Sequence, residues 1–254
     1  MVREFLELAG LVFSADKIKL PTYCESVRLD VGLSVNAPQS AVWISRDSKV
    51  HVFGFEPVEA NRAAIQRGDS PWPINLEPGF INQRINIIPC ALLDRQIPEG
   101  LEMHVTKVDP GCSSILKPKT FEVAYTETVT VYTLSNFLYH FPFEVIRFIS
   151  HLKIDVQGAD IQVLEGARDY LDRIMCITVE VDTNEYEATR NSLKSIQELL
   201  LPYGFELIQK GIASRVVRFL KGININAETD DPTFLNIRLY KMEKPPRFWV
   251  YQRG

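Results

Sequence analysis

Cysteine and histidine are scarce in this 254-residue chain, with four of each. Cys24, Cys90, Cys112 and Cys176 lie far apart and form no CxxC pair, and the histidines do not cluster with them. That excludes a zinc site built on such spacing. A chain this long buries enough core to need no disulfide framework, so reduced thiols and a cytoplasmic location are expected. No run of about 18 apolar residues occurs, and no transmembrane segment is expected. Residues 1–15 include Glu4 and Glu7 and lack a basic n-region, so they read as an amphipathic helix over Arg3–Val12 rather than a signal peptide. An excess of basic charge is also missing. The net charge of -4 and pI near 5.7 argue against broad nucleic-acid binding, because no positive field would draw phosphates in. There is no G-x-G-x-x-G and no P-loop lysine to cradle a pyrophosphate or triphosphate.

What is present is an alternation of short apolar runs with helical patterns, in a chain that is 46% hydrophobic and 24% charged. Strands are expected at Ser26–Val31, Val50–Phe55, Ile85–Pro89, Phe148–Val156, Met175–Val181, Phe205–Lys210 and Phe234–Lys241. Helices are expected at Pro38–Ser45, Val58–Arg67, Leu134–His140 and from about Tyr186 to Pro202. Leu101–Val108 and Phe121–Tyr132 read as antiparallel additions. Such alternation predicts an α/β fold, a mostly parallel sheet with helices on both faces. Two long irregular stretches, Arg67–Arg84 and Gly211–Pro232, are candidates for binding loops.

The richest segment is Lys153–Ala167. Strict alternation places His151, Lys153, Asp155 and Gln157 on one strand face, before Gly158 and a helical pattern. Strands of a parallel sheet are normally apolar on both faces, so these polar groups are expected to line a cleft at the strand's carboxyl end. Two further strand ends point to an adenosine cofactor. Gly32, after Asp30 and Val31, allows a tight turn near a ligand. Glu56, two dozen residues on, is placed to accept hydrogen bonds from a ribose. With one glycine in that turn, a phosphate-free cofactor, S-adenosylmethionine, fits better than a dinucleotide.

These residues resemble the FkbM-type methyltransferase family. The ordered series runs through Leu29-Asp30-Val31-Gly32, Phe55-Glu56-Pro57, Pro89–Asp94, Gly111–Ile115, Val129–Leu134, Lys153–Asp160 and Thr178–Val181. It covers roughly residues 27–182. The resemblance implies a class I methyltransferase Rossmann-like fold, with a seven-stranded sheet carrying one antiparallel strand. Residues 1–254 would form a single domain, with a helical extension over 1–25 and a substrate loop over 211–233. It also implies O-methylation of a hydroxyl on a carbohydrate or similar polyol. By position, Asp30, Gly32 and Glu56 would hold S-adenosylmethionine, Ala91 would lie near the adenine, and Asp155 would lie between cofactor and acceptor. Asn36 stands where the family has a glycine and is expected to take a left-handed conformation. Leu33 is bulkier than the family's residue, Gln157 replaces a glutamate, and Asp160 replaces a longer acid.

A hydroxyl acceptor needs its proton removed during transfer. Asp155 is the leading candidate base and Lys153 a helper, able to act as base itself only if burial lowers its pKa. Gln157 and Glu180 are expected to bind the small-molecule or glycan acceptor, with Asp182 nearby. His104, His140 and His151 are weaker candidates. No metal is expected. The departures at Leu33, Asn36 and Gln157 leave a catalytically inactive, methyltransferase-like binding protein as the alternative, and a nicotinamide-dependent oxidoreductase is opposed by the missing glycines. The sequence leaves the oligomeric state open.

Overall fold

The computed structural model describes residues 2–181, 185–208 and 231–243. The substrate-loop residues 211–230 and Asp182 lie outside them. The chain opens with helix α1 (Val2–Leu8) and a two-strand hairpin, β1 (Phe13–Ser14) with β2 (Lys17–Ile18). There follow β3 (Ser26–Val31), α2 (Pro38–Arg46), β4 (Val50–Phe55), α3 (Glu59–Arg67) and β5 (Ile85–Ile88). An inserted three-stranded sheet comprises β6 (Ala91–Leu92), β7 (Ile97–Thr106) and β8 (Val123–Tyr132). The chain continues through α4 (Leu134–Tyr139), β9 (His151–Ile154), α5 (Asp160–Glu165), β10 (Cys176–Val179) and α6 (Leu193–Leu200). It closes with β11 (Phe205–Leu207), β12 (Thr233–Asn236) and helix α7 (Ile237–Glu243).

The main sheet has seven strands in the order β11-β12-β10-β9-β3-β4-β5. β5, β4, β3, β9 and β10 run parallel, and β12 is antiparallel to both its neighbours. Strand order reverses between β3 and β9, the switch point where an open α/β sheet leaves a crevice. This is the Rossmann-like sheet with one antiparallel strand that the resemblance implies.

The two faces of the sheet differ. Val27, Leu29, Val31, Leu152 and Ile154 pack with α4, α5 and α6 in one apolar core. On the other face, α2 covers a row of polar side chains. Trp43 lies 5.4 Å from the Arg28 guanidinium and 5.1 Å from the His151 ring. Ser40 donates to Asp30 Oδ2 at 2.5 Å. Of the polar face of β9 expected to line a cleft, His151 therefore does not do so. It is roofed by α2, and the strand's carboxyl end alone reaches the crevice.

Two element assignments change. Residues 185–191 are not helical. They form a strap held to the β7–β8 connection by Lys119 N–H to Glu185 O (2.8 Å) and Glu187 N–H to Lys117 O (2.9 Å). The helix begins only after Ser192, whose hydroxyl accepts from Ser195 N–H in a capping box. Beyond Asn236 the expected strand becomes α7, because the Asn236 side chain accepts from Leu239 N–H and starts a helical turn. Among the described residues no helix is long and apolar enough to cross a membrane.

Candidate active site

A cleft of about 720 Å³, open at its mouth, lies at the carboxyl ends of β3, β4 and β9. Its floor is the turn after β3. Gly32 has φ +86°, and a Cβ there would stand 1.9 Å from the Asp155 carbonyl oxygen, so no other residue fits. Asn36 is not the left-handed residue of this turn. Ser34 (φ 56°) and Ala37 (φ 45°) take that conformation. Asn36 instead donates from Nδ2 to the Ile74 carbonyl at 2.8 Å and accepts Leu76 N–H at 2.9 Å, fastening the 67–84 loop outside the cleft. Leu33 borders the cleft but packs into the α2–α3 core, where it is 1% exposed.

Glu56 closes one end. It accepts Ser34 N–H (3.0 Å), Val58 N–H (3.0 Å) and Asn61 Nδ2 (3.2 Å). Burial pushes its carboxyl up to about 7 despite these donors. An apolar shelf formed by Ala91, Leu92, Leu93 and Met103 lies beside it, facing Ile115. The roof comes from the β7–β8 connection, a contribution not foreseen from the sequence. His104 N–H bonds Ser114 O at 2.8 Å, so the connection folds back along β7 and lays Pro110, Gly111 and Ser113 over the cleft. A Cβ on Gly111 would meet Ser34 Oγ at 2.8 Å, so a larger residue here would have to displace the Ser34 side chain.

At the other end the structure brings Lys153, Asp155, Gln157 and Glu180 together. Lys153 Nζ donates to Asp155 Oδ2 (3.0 Å) and Gly32 O (3.3 Å) and lies 3.8 Å from Asp30 Oδ1. Burial alone would lower its pKa, but the carboxylates of Asp155 and Asp30 outweigh burial and raise it. The two carboxylates thus favour the charged form of Lys153. Asp30 does not line the cleft. It is 1% exposed and anchors Lys153 and α2 from beneath.

Asp155 faces the cleft. Burial favours its neutral form, yet the Lys153 charge and the hydrogen bonds from Gln157 and Lys153 prevail and hold it below the usual carboxylate range. Gln157 lies just past the strand, at φ 59°. Its Nε2 donates to Asp155 Oδ1 (2.7 Å) and Glu180 Oε2 (2.9 Å), its Oε1 faces the Tyr186 hydroxyl (2.7 Å), and its carbonyl accepts Ser114 Oγ (2.7 Å). Both N–H groups are thus spent on protein, not on an acceptor. Burial, then the charges of Asp155 and Asp160, push Glu180 up to about 9. Asp160 caps the turn, accepting Val156 N–H (3.1 Å), Gly158 N–H (3.1 Å) and Asn191 Nδ2 (2.5 Å). Tyr186, from the strap, had no recognisable signal in the sequence beyond a helical pattern.

The histidines stand elsewhere. His151 is buried at the far end of β9, with Nε2 2.8 Å from Thr178 Oγ1. His140 Nδ1 is 2.9 Å from the Asp16 carbonyl, beside the N-terminal hairpin. His104 belongs to β7. Among the described residues no group of three or more His, Cys, Asp or Glu could hold a metal.

The cleft suits a flat base on an apolar shelf, a diol at Glu56 and a reacting centre near Asp155. Among the described lining residues the cation is Lys153, which is already engaged with carboxylates. Comparison with solved structures finds "Structure of an antibiotic related Methyltransferase" at 11% identity and TM-score 0.34, covering 92% of this chain and 91% of that one. A 30S ribosomal A1408 methyltransferase from an uncultured bacterium aligns at 10% identity and TM-score 0.23, covering 86% and 93%. No protein of curated function matches. The model of the Methyltransferase FkbM domain matches residues 30–207. The match spans well over half of the chain and includes both ends of the cleft, so the chain belongs to the FkbM family of methyltransferases.

Proposed function

We propose that the protein is an S-adenosylmethionine-dependent O-methyltransferase acting on a hydroxyl of a carbohydrate or similar polyol. The observation that carries this reading is the pairing of two carboxylates with opposite environments at the two ends of one cleft, Glu56 and Asp155. Glu56 takes the ribose hydroxyls, and Ala91 with its neighbours takes the adenine. When bound, the donor supplies an electrophilic sulfonium methyl. Asp155 would orient the acceptor hydroxyl and receive its proton as the O–C bond forms and the donor's sulfur–methyl bond breaks, the bonding pair staying on a neutral thioether. Lys153 keeps Asp155 ionised beforehand. Gln157 fixes the rotamer of Asp155.

The inactive alternative drew on Leu33, Asn36 and Gln157. Asn36 serves a neighbouring loop, so the support drawn from it falls away, while Leu33 packs into the core at the cleft's border. Titration calorimetry with S-adenosylmethionine and NAD tests the donor assignment. Binding of the first at micromolar strength, with no heat from NAD, is expected; the reverse would overturn it.

A further inference from the structure

The Gln157 amide sits between two acids, with Nε2 donating to Asp155 Oδ1 (2.7 Å) and Glu180 Oε2 (2.9 Å). Turned the other way, its oxygen would face the Asp155 carboxylate, and two acceptors would repel. The nitrogen therefore faces the acids and the oxygen points back into the protein. Among the described residues, the donor to that oxygen is the Tyr186 hydroxyl, at 2.7 Å. Tyr186 is 1% exposed and comes from the 185–191 strap. Its hydroxyl also reaches the Cys112 carbonyl at 2.8 Å, beside the roof residues Gly111 and Ser113. Its ring lies on Gly158, where a Cβ would stand 3.1 Å from Tyr186 Cδ2. Gln157 has φ 59°, which a non-glycine residue keeps only when its surroundings over-determine it. Ser114 Oγ holds its carbonyl, and Tyr186 holds its amide.

We propose that Tyr186 is a positioning residue for methyl transfer: its hydroxyl locks the Gln157 amide, and through that amide it aligns Asp155. The inference rests on the transfer to a hydroxyl proposed above. Asp155 is held at both oxygens, Oδ2 by Lys153 Nζ (3.0 Å) and Oδ1 by Gln157 Nε2. Two donors on opposite oxygens fix the plane of the carboxylate. With the Lys153 contact alone, the carboxylate can turn about its Cβ–Cγ bond, and the acceptor hydroxyl loses its aligned partner. Without the Tyr186 hydroxyl, the Gln157 oxygen is left buried with no donor. The amide then rotates in search of one, and its hold on Asp155 loosens. Tyr186 itself does not line the cleft and touches neither donor nor acceptor.

Tyr186→Phe keeps the ring on Gly158 and removes the hydroxyl, so it separates this role from packing. Side-chain amide NMR reads the lock directly, with the Gln157 signals identified by their loss in Gln157→Leu. They should exchange slowly with water in the parent and about tenfold faster or more in Tyr186→Phe. Labelled S-adenosylmethionine with a panel of glycans and glycolipids reads the consequence. Turnover at saturating donor should fall about tenfold or more in Tyr186→Phe, with the donor KM within about twofold of the parent's. In the Gln157→Leu background the same change should cost nothing further. A freely exchanging Gln157 amide in the parent overturns the role of Tyr186 without any variant. Unchanged exchange or turnover in Tyr186→Phe, a loss confined to donor KM, or an equal further loss in Gln157→Leu overturns it too, and each leaves the transferase reading standing. No transfer by the parent to any acceptor removes that reading, and the positioning role falls with it.

Discussion

Leu33 occupies the space that Gly54 leaves on the neighbouring strand: a Cβ on Gly54 would stand 2.7 Å from Leu33 Cδ1 and 2.9 Å from Cδ2. A bulky side chain in the cofactor turn is accommodated because β4 carries a glycine opposite it. The turn keeps its close approach to Asp155 while the leucine joins the α2–α3 core.

Gly54→Ala should therefore destabilise the protein by about 1–3 kcal/mol through overpacking. Leu33→Ala should cost about 2–4 kcal/mol through the cavity it opens. In the double variant each change relieves the other, so urea unfolding should show a coupling of at least about 1 kcal/mol. Strict additivity would mean the two residues do not share this space.

Lys153→Met leaves Asp30 and Asp155 without their cation. A broken buried ion pair typically costs about 3–5 kcal/mol, and partial exposure of Asp155 places this loss toward the lower figure. Adding Asp30→Asn should restore a good part of it. Denaturant melts of both variants decide the matter, and no recovery in the double variant would show that Lys153 is not what keeps Asp30 satisfied.

Gln157→Glu places a third carboxyl between Asp155 and Glu180, where the structure uses two amide donors. The new carboxyl should have a raised pKa in the folded protein. Its penalty is then absent at pH values below the ordinary glutamate pKa and grows as pH rises past it. Thermal melts at about pH 5 and pH 8 should show the variant close to the parent at the first and clearly below it at the second. An equal deficit at both would refute the amide-bridge account, and so would none at either.

The sheet was legible because its strands alternate with helical patterns and end in Gly32, Glu56 and Asp155. Gly32, Glu56 and Asp155, read from those strand ends, line the cleft. The direction of side chains within the turn did not follow from them. Asn36 tolerates a left-handed φ better than Ser34 or Ala37, but its amide is held by the Ile74 carbonyl, so the unfavourable conformations fall on its neighbours. Of the polar face expected to line the cleft, His151 does not reach it for a related reason: Trp43, distant in sequence, packs against its ring. The strap at 185–191 was read as helix because its bonds to Lys117 and Lys119 are long-range and leave no local pattern.

Glu56 carries a second test. Glu56→Ala should weaken S-adenosylmethionine about tenfold to a hundredfold, the loss of charge-assisted hydrogen bonds to a ribose. Ribose hydroxyls donate to the ionised form, so parent affinity should rise with pH up to about 7, where this carboxyl titrates, and level off above it. Calorimetry across that range checks both. Unchanged affinity in Glu56→Ala would remove Glu56 from the donor site.

The most direct test of the whole account is methyl transfer itself. Labelled S-adenosylmethionine should be incubated with a panel of glycans and glycolipids, comparing the parent with Asp155→Asn. The account predicts alkali-stable label in an ether of one acceptor class, with the rate falling by at least about a hundredfold in the variant although the donor still binds. Equal transfer by parent and variant would contradict the assignment of Asp155. Donor binding by the parent with no transfer to any acceptor would contradict the proposed O-methyltransferase activity.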